Sequence, residues 1–129
     1  MNINEFHVVN PVSYENFIKK NSGKGNLKVH AYAASEALPV SGLRIIVSTS
    51  IEGEKVIFFD GKTDASGMIE SLSLPAPSIA FNNLDVPNST LYTIEAISEK
   101  EEQNYSVNMY DGICVVQNIN FIPGGMYGS

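Results

Sequence analysis

The strongest constraint on this chain is a rhythm. Between Asn26 and Ile122, seven short runs of strand-like residues follow one another, with turn signals roughly every ten residues and no second long helical pattern. In "NLKVHAYA" Leu27, Val29 and Ala31 share one face, while Lys28, His30 and Tyr32 take the other. "GLRIIVSTSI" puts Leu43, Ile45, Val47 and Ile51 in phase, and "EGE" makes a tight hairpin into "KVIFFDG". "GMIESLSL", "LYTIEAIS" (Tyr92, Ile94 and Ala96 inward), "NYSVNMY" and "ICVVQNINFI" complete the set. A strand with one apolar face must bury it against another sheet. The pattern therefore predicts an all-β fold, a seven-stranded antiparallel Greek-key β-sandwich.

The ends differ from this body. Residues 1–25 read as an N-terminal arm with a short helix over about Ser13–Lys20, Ser13 serving as N-cap and Lys19-Lys20 suiting the C-terminal end. Residues 26–123 form the sandwich, and 124–129 a glycine-rich tail. Two helical turns do not stand alone in water, so the arm must dock on something. The 129 residues fit one domain, and a hydrophobic fraction of 43% supplies a core.

Charge and motif narrow the function. A net charge of −6 with eight scattered basic residues argues against nucleic acid. No apolar run approaches the ~20 residues of a membrane span. "MNINEFHVVNPV" lacks the basic and apolar regions of a secretory signal, so synthesis in the cytoplasm is expected, with the site of action open to a surface structure or phage-like particle. The single cysteine, Cys114, excludes an internal disulfide and reads as a buried, inert thiol. In "GKTDASGM" Asp64 is placed to form an Asx-turn and Gly67 to supply a positive φ. Asp60, Asp64 and Ser66 lack the spacing of a calcium loop, so neither metal nor cofactor is expected.

In order, "ALPVSGLRIIVS", "GKTDASGMIE", "LYTIEAIS" and "VVQNINFIP" resemble the carboxypeptidase regulatory-like domains, also called transthyretin-like or prealbumin-like. "SLPAPS" and "QNINFIP" look similar to the N-terminal module of spore cortex-lytic proteins and small stand-alone relatives in spore-forming bacteria. The resemblance implies a seven-stranded sandwich with a non-catalytic accessory role and transfers no catalytic residue.

The residues agree that an enzyme is not expected. An internal Lys–Asn isopeptide bond would need Lys28, Glu95 and Asn118 or Asn120 in the core, and strand parity points all of them outward. His7 and His30 have no sequence-level route to Cys114 or a serine. What remains is surplus hydrophobicity. Parity sends Ile46 outward, makes both faces of "KVIFFDG" apolar (Val56 and Phe58; Ile57 and Phe59), and leaves Val116 outside. The arm adds Ile3, Phe6, Val8, Val9, Phe17 and Ile18. The expected role is a structural or assembly module whose arm and apolar sheet face join copies to each other or to a larger bacterial or phage-like particle. The alternative is an accessory module that binds peptidoglycan or another glycan, with Tyr92, Tyr105 or Tyr110 forming a groove.

Overall fold

The computed structural model describes residues 10–33, 38–79, 88–99 and 101–120. Among these residues one helix, α1 (Pro11–Lys20), precedes eight strands: β1 (Gly23–Ala33), β2 (Leu38–Pro39), β3 (Arg44–Ile51), β4 (Glu54–Lys62), β5 (Met68–Ala76), β6 (Thr90–Ile97), β7 (Glu102–Met109) and β8 (Cys114–Asn120). Seven of these are the seven runs of the sequence, and β2 adds a two-residue bridge. One sheet is centred on β1, with β8 parallel along one edge and β5, then β2, antiparallel along the other. The second runs β4-β3-β6-β7, antiparallel throughout.

The inner faces close on each other as the alternation predicts. Leu27, Val29 and Ala31 of β1, with Leu74 of β5 and Ile119 of β8, meet Ile45 and Val47 of β3, Tyr92 and Ile94 of β6 and Met109 of β7. Each Val, Leu, Ile or Met side chain among them contributes about 1.5–3 kcal/mol on leaving water. β5 runs on through Pro75, whose missing N–H is tolerated because, among the described residues, β5 pairs only with β1.

Two bulges bend the strict period of two. In β4 the pairing steps from Val47 opposite Phe59 to Ser48 opposite Ile57, so Phe58 is the extra residue. In β5 it steps from Leu27 opposite Leu72 to Val29 opposite Ile69. Each bulge returns out-of-phase apolar residues to the core: Phe58 and Phe59 in one case, Ile69 and Leu72 in the other.

The β3–β4 hairpin closes with two left-handed residues, Glu52 (φ 50°) and Gly53 (φ 85°), the geometry that matches strand twist in a two-residue loop. Helix α1 starts two residues earlier than the sequence reading. Asn10, not Ser13, is the cap, its Oδ1 accepting from Val12 N at 2.8 Å and Ser13 N at 3.4 Å, with Pro11 in the first turn. β1 already begins at Gly23, inside the segment read as arm.

Candidate interaction surfaces

At the turn between β4 and β5, Asp64 Oδ1 accepts from Ser66 N (2.8 Å) and Met68 N (3.0 Å). Gly67 has φ +76°, and a Cβ there would lie 2.4 Å from the Ala31 carbonyl oxygen. Asp60 is held elsewhere, in a two-pronged ion pair with Arg44 at 2.7 and 3.0 Å. The hydrogen bonds from that guanidinium keep the Asp60 carboxyl below its ordinary range, and the carboxylate raises the pKa of Arg44 in turn. Among the described residues no three metal-ligating side chains come together.

Other chemistries are dispersed as well. Lys28 and Asn118 lie on the outer face of the β1 sheet and Glu95 on the outer face of the other, so the groups of an isopeptide bond sit on opposite sides of the molecule. His30 stacks edge-on against Tyr32, with ring centres 5.3 Å apart. Cys114 is exposed, against the expectation of a buried thiol, because it opens β8 on the outward parity. No helix among the described residues is long and apolar enough to cross a membrane.

The expected apolar face is only partly there. Ile46 faces outward as its parity requires but is only 7% exposed. The register sets it between Asp60 and Glu95, and their ion pairs with Arg44 and Lys55 flank it. Phe59 turns to the core through the β4 bulge, its ring folded over Gly61. Ile57 and Val116 do stand out, each 52% exposed. Ile3, Phe6, Val8 and Val9 lie outside the described residues.

The tyrosine groove does not form either. Tyr92 is fully buried, its hydroxyl donating to Pro75 O at 2.6 Å across the sandwich, and burial raises its pKa well above the ordinary tyrosine value. Tyr105 packs on the core and donates to Gln103, and burial raises its pKa too. Only Tyr110 reaches the surface.

Two further surfaces lie among the described residues. The first is α1. Phe17 is its one well-seated side chain, in contact with Phe58 (ring centres 6.0 Å apart), which meets Tyr92 edge-on at 5.6 Å. Ser13 Oγ donates to Glu52 at 2.9 Å, and the Thr90 hydroxyl donates to Asn21 at the far end. No residue of α1 is buried, and Val12 (62%), Tyr14 and Ile18 are exposed. The second is a recess of about 320 Å³ on the outer face of the β4-β3-β6-β7 sheet, with Ser48, Thr93 and Glu95 in it and Lys55 and Asn104 beside them. Sequence parity gave no sign of this recess.

Its cause is local. β3 and β6 stay paired from Arg44–Ile97 to Ser48–Thr93, and there the ladder ends. Beyond it the Thr49 hydroxyl bridges to Leu91 O at 2.7 Å in place of a backbone bond. On its other side Ser48 adjoins the β4 bulge. A bulge and an opened ladder flanking one residue depress the sheet surface there.

No protein-family profile matches the chain, and no curated protein sequence does. The motif resemblance to cortex-lytic modules thus stands on its residues alone. Solved structures do match. Transthyretin from Sparus aurata is similar at 15% identity and a TM-score of 0.48, over 74% of this chain and 89% of that one. Sea bream transthyretin in complex with thyroxine gives 18% and 0.44, over 65% and 74%. The dioxygenase domain of a dioxygenase carbohydrate-binding protein fusion from Streptomyces sp. SirexAA-E gives 10% and 0.43, over 78% and 79%.

Proposed function

We propose that this protein is a non-enzymatic assembly module that docks on a second copy of itself or on a larger particle through its N-terminal arm. The observation that supports this is α1. An amphipathic helix that served only to cover its own sandwich would bury its apolar side chains against it. Here Phe17 is the best seated, while Val12 is 62% exposed and Tyr14 and Ile18 are each more than a third exposed, with Ile57 exposed at the β4 edge. Three exposed apolar side chains on one short helix are the kind of patch that marks an interface.

The test is light scattering after size exclusion on the full chain, on a chain lacking residues 1–20, and on the double variant Val12→Ser, Ile18→Ser. The cut stops at Lys20 because β1 pairing begins at Gly23. A defined oligomer for the full chain and folded monomers for both variants is the expected result. A monomeric full chain at all concentrations refutes self-assembly, as does an oligomer that survives both changes.

A further inference from the structure

The β4-β3-β6-β7 sheet leaves a strand edge open beside the point where the chain enters the fold. Among the described residues β4 pairs only with β3, so its other side presents free backbone N–H and C=O groups along Glu54–Lys62. Ile51 and Glu54 flank the two-residue hairpin loop and form its hydrogen-bonded closing pair. Bonded and non-bonded pairs alternate along an antiparallel ladder, so Lys55 and Ile57 turn their backbone groups to the open edge. Ile57 also holds its side chain in water, 52% exposed.

The start of α1 sits at the same corner. Ser13 Oγ donates to Glu52 at 2.9 Å, and Glu52 lies in the loop that opens β4. Asn10, the helix cap, is three residues further back, about 5 Å along the helix axis. Residues 1–9, which lie outside the described residues, therefore join the chain close to the first residue of β4. From Ser13 the helix runs on to Phe17 against Phe58 and to Asn21, which accepts from the Thr90 hydroxyl at the start of β6. The other edge of this sheet, β7, is three strand positions away, about 14 Å.

Length, direction and composition agree on what covers the β4 edge. Nine extended residues span about 30 Å, which matches the nine residues of β4. The segment ends where β4 begins, so laid along that edge it runs antiparallel, as every other pair in this sheet does. "NINEFHVV" carries β-branched and aromatic residues and neither proline nor glycine. Phe6 and Val8 share one face of such a strand, an apolar pair to set beside Ile57. We infer that residues 2–9 add to the free edge of β4 in their own sandwich as a fifth strand of that sheet. This inference concerns backbone pairing and stands apart from the assembly proposal, which rests on the exposed side chains of α1.

The experiment is amide hydrogen exchange and NOE spectroscopy on the full-length protein and on the double variant Phe6→Pro, His7→Pro. Two adjacent positions are changed so that, in any register, one of the lost N–H groups is one that points at β4. In wild type the Lys55 and Ile57 amides are expected to exchange about a hundredfold or more slowly than in an unstructured chain. NOEs between residues 2–9 and β4 are expected as well, and in a mixture of differently isotope-labelled copies they stay within one copy. The double variant is expected to release Lys55 and Ile57 while Val56, paired with Thr49, keeps its protection. Unprotected Lys55 and Ile57 in wild type overturn the inference. The absence of NOEs to β4 does the same without recourse to any variant. NOEs that connect different copies overturn it by placing the segment on a neighbour, and protection that survives both prolines overturns it by showing another cover. A protein that is monomeric by light scattering and still gives these NOEs refutes the assembly proposal alone.

Discussion

Thr63 offers the sharpest test of what holds the sandwich entrance together. It is 4% exposed, and its hydroxyl works in both directions, donating to Val40 O at 2.6 Å and accepting from Leu43 N at 3.0 Å. Its backbone adds Thr63 N to Leu43 O and Gly42 N to Thr63 O, both 2.9 Å. Thr63→Val keeps the shape and the backbone bonds but strands one donor and one acceptor. Each stranded buried group costs about 1–3 kcal/mol, and Val40 is only half-buried, so water relieves part of its share; the sum is about 2–4 kcal/mol. Thr63→Ser keeps the oxygen and loses one methyl, worth about 1 kcal/mol.

The assay is guanidinium unfolding, comparing midpoints at unchanged slope. Hydrophobicity and strand propensity both favour valine over serine, so they predict the opposite order. If the valine variant lies within about 0.5 kcal/mol of wild type, or above the serine variant, the hydroxyl bridge is not what fixes this turn.

Gly67→Ala forces a side chain into a left-handed residue and against the Ala31 carbonyl, so a loss of at least about 2 kcal/mol or failure to fold is expected; unfolding near the wild-type midpoint would contradict it. Tyr92→Phe keeps the buried ring but leaves Pro75 O without its donor, costing about 1–2 kcal/mol by the same assay, and no cost would mean that the cross-sheet bond contributes nothing. Asp111 accepts from Ile79 N at 2.9 Å and Lys24 N at 3.1 Å, and these bonds lower its pKa below the ordinary carboxylate value. Its contribution is therefore present above about pH 4 and lost as pH falls through the lowered value; wild type and Asp111→Asn should differ in neutral solution and converge in acid, and a gap that stays constant with pH would refute this. Phe58→Ala should destabilise the fold by about 2–4 kcal/mol and speed amide exchange over Phe17–Lys20, while Ile57→Ala stays within about 0.5 kcal/mol; the reverse ranking would show that the bulge is misassigned.

Most of the body was legible because a sheet with one wet face writes its burial into alternate residues. Leu27, Val29 and Ala31, and Tyr92, Ile94 and Ala96, are buried as their parity requires. The failures have two physical sources. At Ile46 the parity was right and the exposure wrong: the residue faces outward, but ion pairs from neighbouring strands close over it, and long-range pairing is invisible to a local pattern. At Phe59 the parity itself slipped, because one inserted residue exchanges the two faces of a strand. The signal was present. Val56 and Phe59, like Ile69 and Leu72, are inward residues three apart, a spacing that no regular strand can place on one face.

The β4 bulge also explains why the surface expected to be apolar is polar. A regular β4 would have set Phe59 beside Ile57 on the outer face, giving a greasy sheet suited to flat association. With Phe58 inserted, Phe59 returns to the core, Ile57 is left alone on that strand, and Asp60 falls opposite Ile46 to meet Arg44. The same displacement roughens the sheet next to Ser48, where the β3–β6 ladder ends. One inserted residue thus takes apolar area from the sheet face and leaves a hydroxyl-lined depression in its place. Exposed apolar side chains are then left on α1 and towards the strand ends rather than massed on that sheet face.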